Sequence, residues 1–266
     1  MPELPEVETI KRDLEKIILG KKITGVCVHN PLVIRNVTAE RFKKELTGVT
    51  FKEVLRKAKV LILGLSNGKF LVIHLKMTGQ LVYPGAGKKS RISLHLSDGK
   101  ILDFNDQRLF AELHLLDDWR SFKFIKRLGP EPFEIDVEQF KKMLSKKRTK
   151  IKPLLMDQAF ISGIGNLYAA ESLFRARIHP ERAAQSLSDK EKEILFREIK
   201  DVLSEAIHYG GSSVDNYVRL SGKPGGYVTH HKVYGRDGKP CLVCKTPIKR
   251  ITLGSRGTYF CSRCQK

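Results

Sequence analysis

Four of the five cysteines stand as Cys241-x-x-Cys244 and Cys261-x-x-Cys264 with 16 residues between the pairs. That spacing lets two short knuckles present four thiolates tetrahedrally to one Zn²⁺. A four-thiolate set leaves no open coordination position, so such a metal holds a β-hairpin together and does no chemistry. Five cysteines in a chain this long are too few for a disulfide-stapled secreted scaffold, and the expected compartment is reducing and intracellular. Cys27 has no partner in the pattern and is expected to be a buried apolar residue.

The second constraint is charge. The 266 residues carry 49 Lys+Arg against 29 Asp+Glu, a formal net charge of +20. A surplus of that size favours a polyanion, with nucleic acid foremost, and disfavours cationic ligands. Residues 211–266 alone hold eleven Lys/Arg and two acids, concentrating the excess at one end. With 41% apolar residues and 13 Phe the chain can build packed cores and is not a disordered basic tail. Its length suits two domains. No stretch approaches the roughly 18 apolar residues of a membrane span. The start, MPELPEVETIKRDLEK, is acidic and amphipathic, unlike a signal peptide.

Val7, Ile10, Leu14 and Ile17 recur at helical steps near the N-terminus. From about Lys22 to Leu116 the pattern turns to short Val/Ile/Leu strands. VLRKAKVLILGL and KFLVIHLKM flank Ser66-Asn67-Gly68, a hairpin signal, and RISLHL and KILDF flank Asp98-Gly99. This predicts an N-terminal helix with an antiparallel β-sandwich or flattened barrel. KFIKRLGPEPFEID lacks periodicity and reads as a linker. Helices are predicted at about 137–147, 150–157, 166–176 and 188–208, the last stopped by Gly210-Gly211. The fold class is α+β, with expected boundaries of 1–122 for the β domain, 123–136 for the linker, 137–236 for a helical domain and 237–266 for the zinc hairpin.

Gly163-Ile164-Gly165-Asn166 before LYAAESLF reads as a glycine turn into a helix with Asn166 as N-cap. Such an end can bind an anion, although taken alone a satisfied cap is the better explanation. Arg256, near the tip of ITLGSRGTYF, is the basic residue expected to reach nucleic acid, the alternative being that the zinc only staples a basic surface. At the N-terminus, removal of Met1 would expose the secondary amine of Pro2 beside Glu3 and Glu6. An α-amine titrates near 7.7 to 8.0, so a fraction is nucleophilic at neutral pH, and attack on a sugar C1′ gives an iminium. Proline and glutamate in a first turn are also ordinary helix-stabilising choices.

Taken together, MPELPEVETI, K-x-x-x-HLKMTG, DQRLF, GIGNLYAAESLFRARIHPER, GKPGGYVTHHKVYGR and the closing C-x-x-C pair resemble the formamidopyrimidine-DNA glycosylase family. The blocks occur in the family's order from residue 2 to residue 265. The resemblance implies a bifunctional glycosylase and AP lyase of base excision repair. Such an enzyme excises 8-oxoguanine and formamidopyrimidines from double-stranded DNA and then cleaves by β,δ-elimination. It further implies a monomer with one structural zinc, a helix-two-turn-helix motif, and a place in the cytoplasm with the nucleoid.

Residue by residue, Pro2 matches the family's nucleophile, Glu3 the carboxylate that protonates the sugar ring oxygen, and Glu6 the acid that supports the site. Lys59, counted with the catalytic residues, matches the family's lysine that contacts phosphates flanking the lesion, and His74 lies close by as a DNA-binding residue. Met77, Arg108 and Phe110 match the trio that enters the duplex when the damaged nucleotide leaves, offsetting a few kcal/mol of lost stacking. Without the resemblance, Met77 and Phe110 would read as core. Asn166 and Arg256 match phosphate contacts, Lys152 and Tyr234 fall where the family also approaches DNA, and GKPGGYVTHH aligns with a loop that closes over the everted base. The chain departs from the pattern at Leu109, often basic in the family, at Ala111, commonly glycine, and at His230-His231. Ala111 leaves the backbone there less free to approach the minor groove, and His230-His231 bears on base preference. Two other readings compete: a sister endonuclease VIII-type enzyme acting on oxidised pyrimidines, and a non-catalytic zinc-ribbon nucleic-acid-binding protein.

Overall fold

The computed structural model describes residues 1–87 and 90–266. The chain divides into two compact units, Met1–Lys126 with Ile207–Val228, and Arg127–Ala206 with Thr229–Lys266. No helix among the described residues is long and apolar enough to cross a membrane.

In the first unit, helix α1 (Leu4–Ile18) turns Val7, Ile10, Leu14 and Ile18 inward, all essentially without solvent exposure. Burying each side chain of this kind is worth about 1.5–3 kcal/mol. Strands β1 (Ile23–Val28), β6 (Ile92–Leu96), β7 (Ile101–Asp106) and β5 (Gly79–Val82) form one antiparallel sheet in the order β1-β6-β7-β5. The second sheet contains β2 (Phe51–Lys57), β3 (Val60–Leu65), β4 (Phe70–His74) and β8 (Glu112–Leu116), in that order. Leu63, Leu71, Ile73 and Leu113 of the second sheet face Leu81, Leu94, Leu102 and Phe104 of the first across one apolar interior. On the outer face of the second sheet, Val60, Ile62 and Val72 pack beneath Phe122. Strand β3 is therefore buried on both faces, which explains its uninterrupted apolar run.

The VLRKAKVLILGL stretch holds two strands, β2 and β3, because Ala58 adopts φ +49° and lets the chain reverse before Lys59. The region expected to be mostly short strands also contains helix α2 (Ala39–Leu46), capped by Thr38 and anchored in the core by Phe42 and Leu46. Cys27 is a correction. It is exposed on β1, with its sulfur 3.6 Å from His95 Nε2, because the strand's inward positions are taken by other residues.

The second unit holds α3 (Val137–Ser145), α4 (Ile151–Met156), α5 (Asn166–Arg175) and α6 (Asp189–His208), then the hairpin of β9 (Lys249–Leu253) and β10 (Arg256–Phe260). Asp136 and Gln139 form a capping box on α3, and Ser188 with Glu191 does the same before α6. Between α4 and α5 two turns are stitched by Gln158, which accepts from Gly163 N–H and donates to the Ile164 carbonyl. Gly254 and Ser255, at φ +55° and +58°, make the tight turn of the β9–β10 hairpin.

Candidate active site and nucleic-acid interface

Pro2 is buried directly ahead of α1, whose N-cap is Glu3. Glu6 Oε2 accepts the Glu3 backbone N–H at 2.8 Å, and Oε1 accepts the Ser212 N–H at 2.8 Å. One carboxylate, only 3% exposed, thus ties the residues around Pro2 to the segment that returns to this unit after α6. Gly211 allows the approach: its φ is +80°, and a Cβ there would lie 3.0 Å from Glu6 Oε1 and 2.8 Å from the Tyr217 ring. Glu3 and Lys59 are also buried in this unit. The stretch expected to form a lid is divided, with 222–228 in the first unit and Thr229 onward in the second. Within the first unit, Tyr83 N–H donates to the Leu220 carbonyl, and Leu220 and Tyr217 are buried in the β core.

His74 is buried at the end of β4, its Nδ1 accepting the Lys76 N–H at 3.1 Å and its ring edge-on to Phe124. Burial, then the charges of Lys76 and Lys59, push its pKa down to about 3. The ring is therefore neutral at pH 7, with its proton on Nε2, and any contact it makes to phosphate is a neutral one. An unfolded histidine titrates near 6.5, so the folded state binds fewer protons between pH 6.5 and 3 and loses stability as pH falls through that window. We expect the wild type to lose on the order of 1–2 kcal/mol between pH 7 and pH 5 from this group. His74→Asn, which keeps an acceptor near Nδ1, should flatten that part of the profile in urea titrations at the two pH values. An unchanged profile would rule out this assignment.

Met77 and Phe110, 39% and 49% exposed, come together with exposed Arg108. The Arg108 guanidinium lies 3.4 Å from Met77 Sδ and 4.6 Å from the Phe110 ring centre. Leu109 adopts φ +57° and packs against the core, which explains an apolar residue between two exposed ones. Ala111 is wholly buried, so its methyl is accommodated inside.

In the second unit, Asn166 is a correction: the N-cap of α5 is Gly165, and Asn166 is the first helical residue. Its amide donates to the Gly257 carbonyl at 3.1 Å and approaches the Tyr234 hydroxyl at 3.5 Å, while its oxygen accepts from Lys152 Nζ at 2.5 Å. Lys152 is 1% exposed and also donates to Thr258 at 2.8 Å, so it braces Asn166 and the hairpin from inside. Arg256 is exposed at the start of β10. His230 faces Glu205, whereas His231 is buried with its ring edge-on to Tyr234. Glu171, absent from the sequence expectations, is fully buried on α5 and accepts the N–H groups of Lys232, Val233 and Tyr234. A lone acid on an otherwise apolar helix face was the available signal.

The four cysteine sulfurs lie within 4.8 Å of one another, with Cys241–Cys264 at 3.9 Å and Cys244–Cys261 at 3.4 Å. Zn–S bonds of about 2.3 Å in a tetrahedron place sulfurs about 3.8 Å apart, so the set fits one structural zinc. Cys241 and Cys261 pack with Phe174 and Val233, joining the knuckles to α5.

Residues 1–113 match the formamidopyrimidine-DNA glycosylase N-terminal domain, 128–218 its H2TH domain, and 238–266 the zinc finger found in FPG and IleRS. The formamidopyrimidine-DNA glycosylase of Desulforamulus reducens is 43% identical over 275 residues, covering all of this chain and 99% of that one. The MutM (Fpg) crystal structure from Thermus thermophilus superposes with a TM-score of 0.89 at 39% identity, covering 99% and 98% of the two chains. A Lactococcus lactis Fpg mutant in complex with Fapy-dG-containing DNA superposes at 0.90 and 35% identity over the full length of both. With three domain models in register and relatives this similar from end to end, the chain belongs to the formamidopyrimidine-DNA glycosylase family.

Proposed function

We propose that the protein is a bifunctional DNA glycosylase and AP lyase of base excision repair, acting on oxidised purines in double-stranded DNA. The observation that carries this reading is the buried N-terminal site, in which Glu6 fixes the backbone around Pro2 and Glu3. Met1 is 47% exposed, open to removal, and its loss frees the Pro2 amine. The neutral amine attacks C1′ of an everted nucleotide, and the base leaves with its bonding electrons as it takes a proton. Glu3 delivers a proton to the ring oxygen, opening the sugar to a cationic iminium. That iminium acidifies the neighbouring carbon, so successive β- and δ-eliminations release the two phosphate ends. Water then adds to the remaining iminium, and its hydrolysis releases the unsaturated aldehyde and restores the proline amine.

Met77, Arg108 and Phe110 fill the gap left by eversion. Asn166 and Arg256 hold flanking phosphates, with Lys59, His74, Lys152 and Tyr234 supporting the contacts. In this reading residues 1–122 form the catalytic domain, 123–136 the linker, 137–236 the helix-two-turn-helix domain and 237–266 the zinc finger. The enzyme works as a monomer in the compartment that holds the chromosome.

Borohydride trapping on a duplex with one 8-oxoguanine opposite cytosine, followed by mass spectrometry, is expected to place the adduct on Pro2. Pro2→Gly should abolish both trapping and incision. An adduct elsewhere, or none from protein whose N-terminus is processed, would overturn the proposal.

A further inference from the structure

Asp106 is the last residue of β7 and pairs with Gly79, the first of β5. The turn carrying Met77 and the turn carrying Arg108 and Phe110 therefore leave the same end of one strand pair. The turn ahead of β5 is tight: Gly79 N–H donates to the Leu75 carbonyl at 3.0 Å, and a Cβ at Gly79 would lie 2.5 Å from that oxygen. The Asp106 carboxylate is 2% exposed and joins the two turns. Its Oδ1 accepts the Thr78 hydroxyl and the Arg108 N–H at 3.2 Å, and its Oδ2 accepts the Ala111 N–H at 2.8 Å. The Arg108 N–H is shared with Thr78 Oγ1 at 3.3 Å. On the carbonyl side, Arg35 donates to Leu109 at 3.1 Å and Ala111 at 3.4 Å. Between these clamps Leu109 is kept at φ +57°, a conformation that costs a non-glycine residue energy and persists only where the surroundings impose it.

We infer that Asp106 is a positioning residue, whose buried carboxylate sets Met77 against Arg108 and Phe110 before DNA is bound. The inference rests on the proposed glycosylase reading, in which that trio replaces the everted nucleotide. A preorganised wedge needs no loop ordering during insertion, so the carboxylate acts on the rate of eversion and not on the chemistry at C1′. A carboxylate can accept from all three donors, whereas an amide has one accepting oxygen and turns an NH₂ toward either Thr78 and Arg108 or Ala111.

The test compares wild type, Asp106→Asn and Thr78→Val on two substrates. One is a duplex with 8-oxoguanine opposite cytosine and 2-aminopurine beside the lesion. The other is a single strand carrying a preformed abasic site, which needs no eversion. For Asp106→Asn the expected result is an at least tenfold drop in single-turnover excision from duplex and loss of the 2-aminopurine brightening. Borohydride trapping on the abasic strand should stay within twofold of wild type. Thr78→Val should lose less, in the same direction. Duplex excision within twofold of wild type for Asp106→Asn would overturn the inference, as would parallel losses on both substrates with a lowered melting temperature. A wild type that traps neither substrate would instead overturn the glycosylase reading, and this inference with it.

Discussion

Glu6→Gln is expected to lower strand incision about a hundredfold or more while the protein stays folded. Glu6 accepts two backbone N–H groups, one from Glu3 and one from Ser212, through different oxygens. An amide keeps one acceptor and points its NH₂ at the other donor, so one bond becomes a donor–donor clash in a site only 3% exposed. If the Glu3 side yields, the Pro2–Glu3 peptide shifts at the root of α1. If the Ser212 side yields, the segment after α6 moves away from it. Misplacing a nucleophile by about 1 Å costs about a hundredfold in rate, so either outcome damages attack at C1′. The cost in stability should be about 1–3 kcal/mol, that of one unsatisfied buried group. Single-turnover kinetics with thermal melting check this, and Glu6→Gln with incision near wild type would remove Glu6 from the positioning role.

Local patterns in the sequence carried the elements well where the cause is local. The cysteine spacing named the four sulfurs that converge, because a metal knuckle is a short-range motif. The apolar spacing from Ile194 to Ile207 placed α6, and Asn67-Gly68 placed the β3–β4 turn, since each depends on neighbours a few residues away. Long-range causes were not legible. Asn166 gives up the cap position because its amide is claimed by the Gly257 carbonyl, 91 residues away. Lys152, expected where the family approaches DNA, is buried between Asn166 and Thr258. Leu220 and Tyr217 sit among glycines with no periodicity, so nothing local shows that 207–228 returns to the β core. Asp106 lies inside the DQRLF block, but its role emerges only when strand pairing brings Thr78 beside it.

Removing the zinc, by chelation or through Cys261→Ala, is expected to unfold the hairpin and abolish tight DNA binding while the β-sandwich unit stays intact. A two-stranded hairpin is marginal by itself in water, whereas a structural zinc site contributes roughly 10–16 kcal/mol of apparent binding free energy. The apolar patch beneath the knuckles is small, built from Ala170, Phe174, Val233 and Ile248, and cannot replace that contribution. Loss of β10 takes the Gly257 carbonyl from Asn166 and Thr258 from Lys152, so the amide of Asn166 is no longer oriented. Arg256 leaves with the strand. Each cation that no longer neutralises a phosphate should lower the slope of log K against log salt by about 0.9, so the departure of Arg256 predicts a drop of about 1. Asn166 is neutral, and its displacement should weaken binding without changing that slope. Fluorescence anisotropy across a salt series measures both effects, and ¹H–¹⁵N spectra report which unit has melted. Metal-free protein with an unchanged slope and intact hairpin resonances would show that packing on α5, and not the metal, holds this surface together.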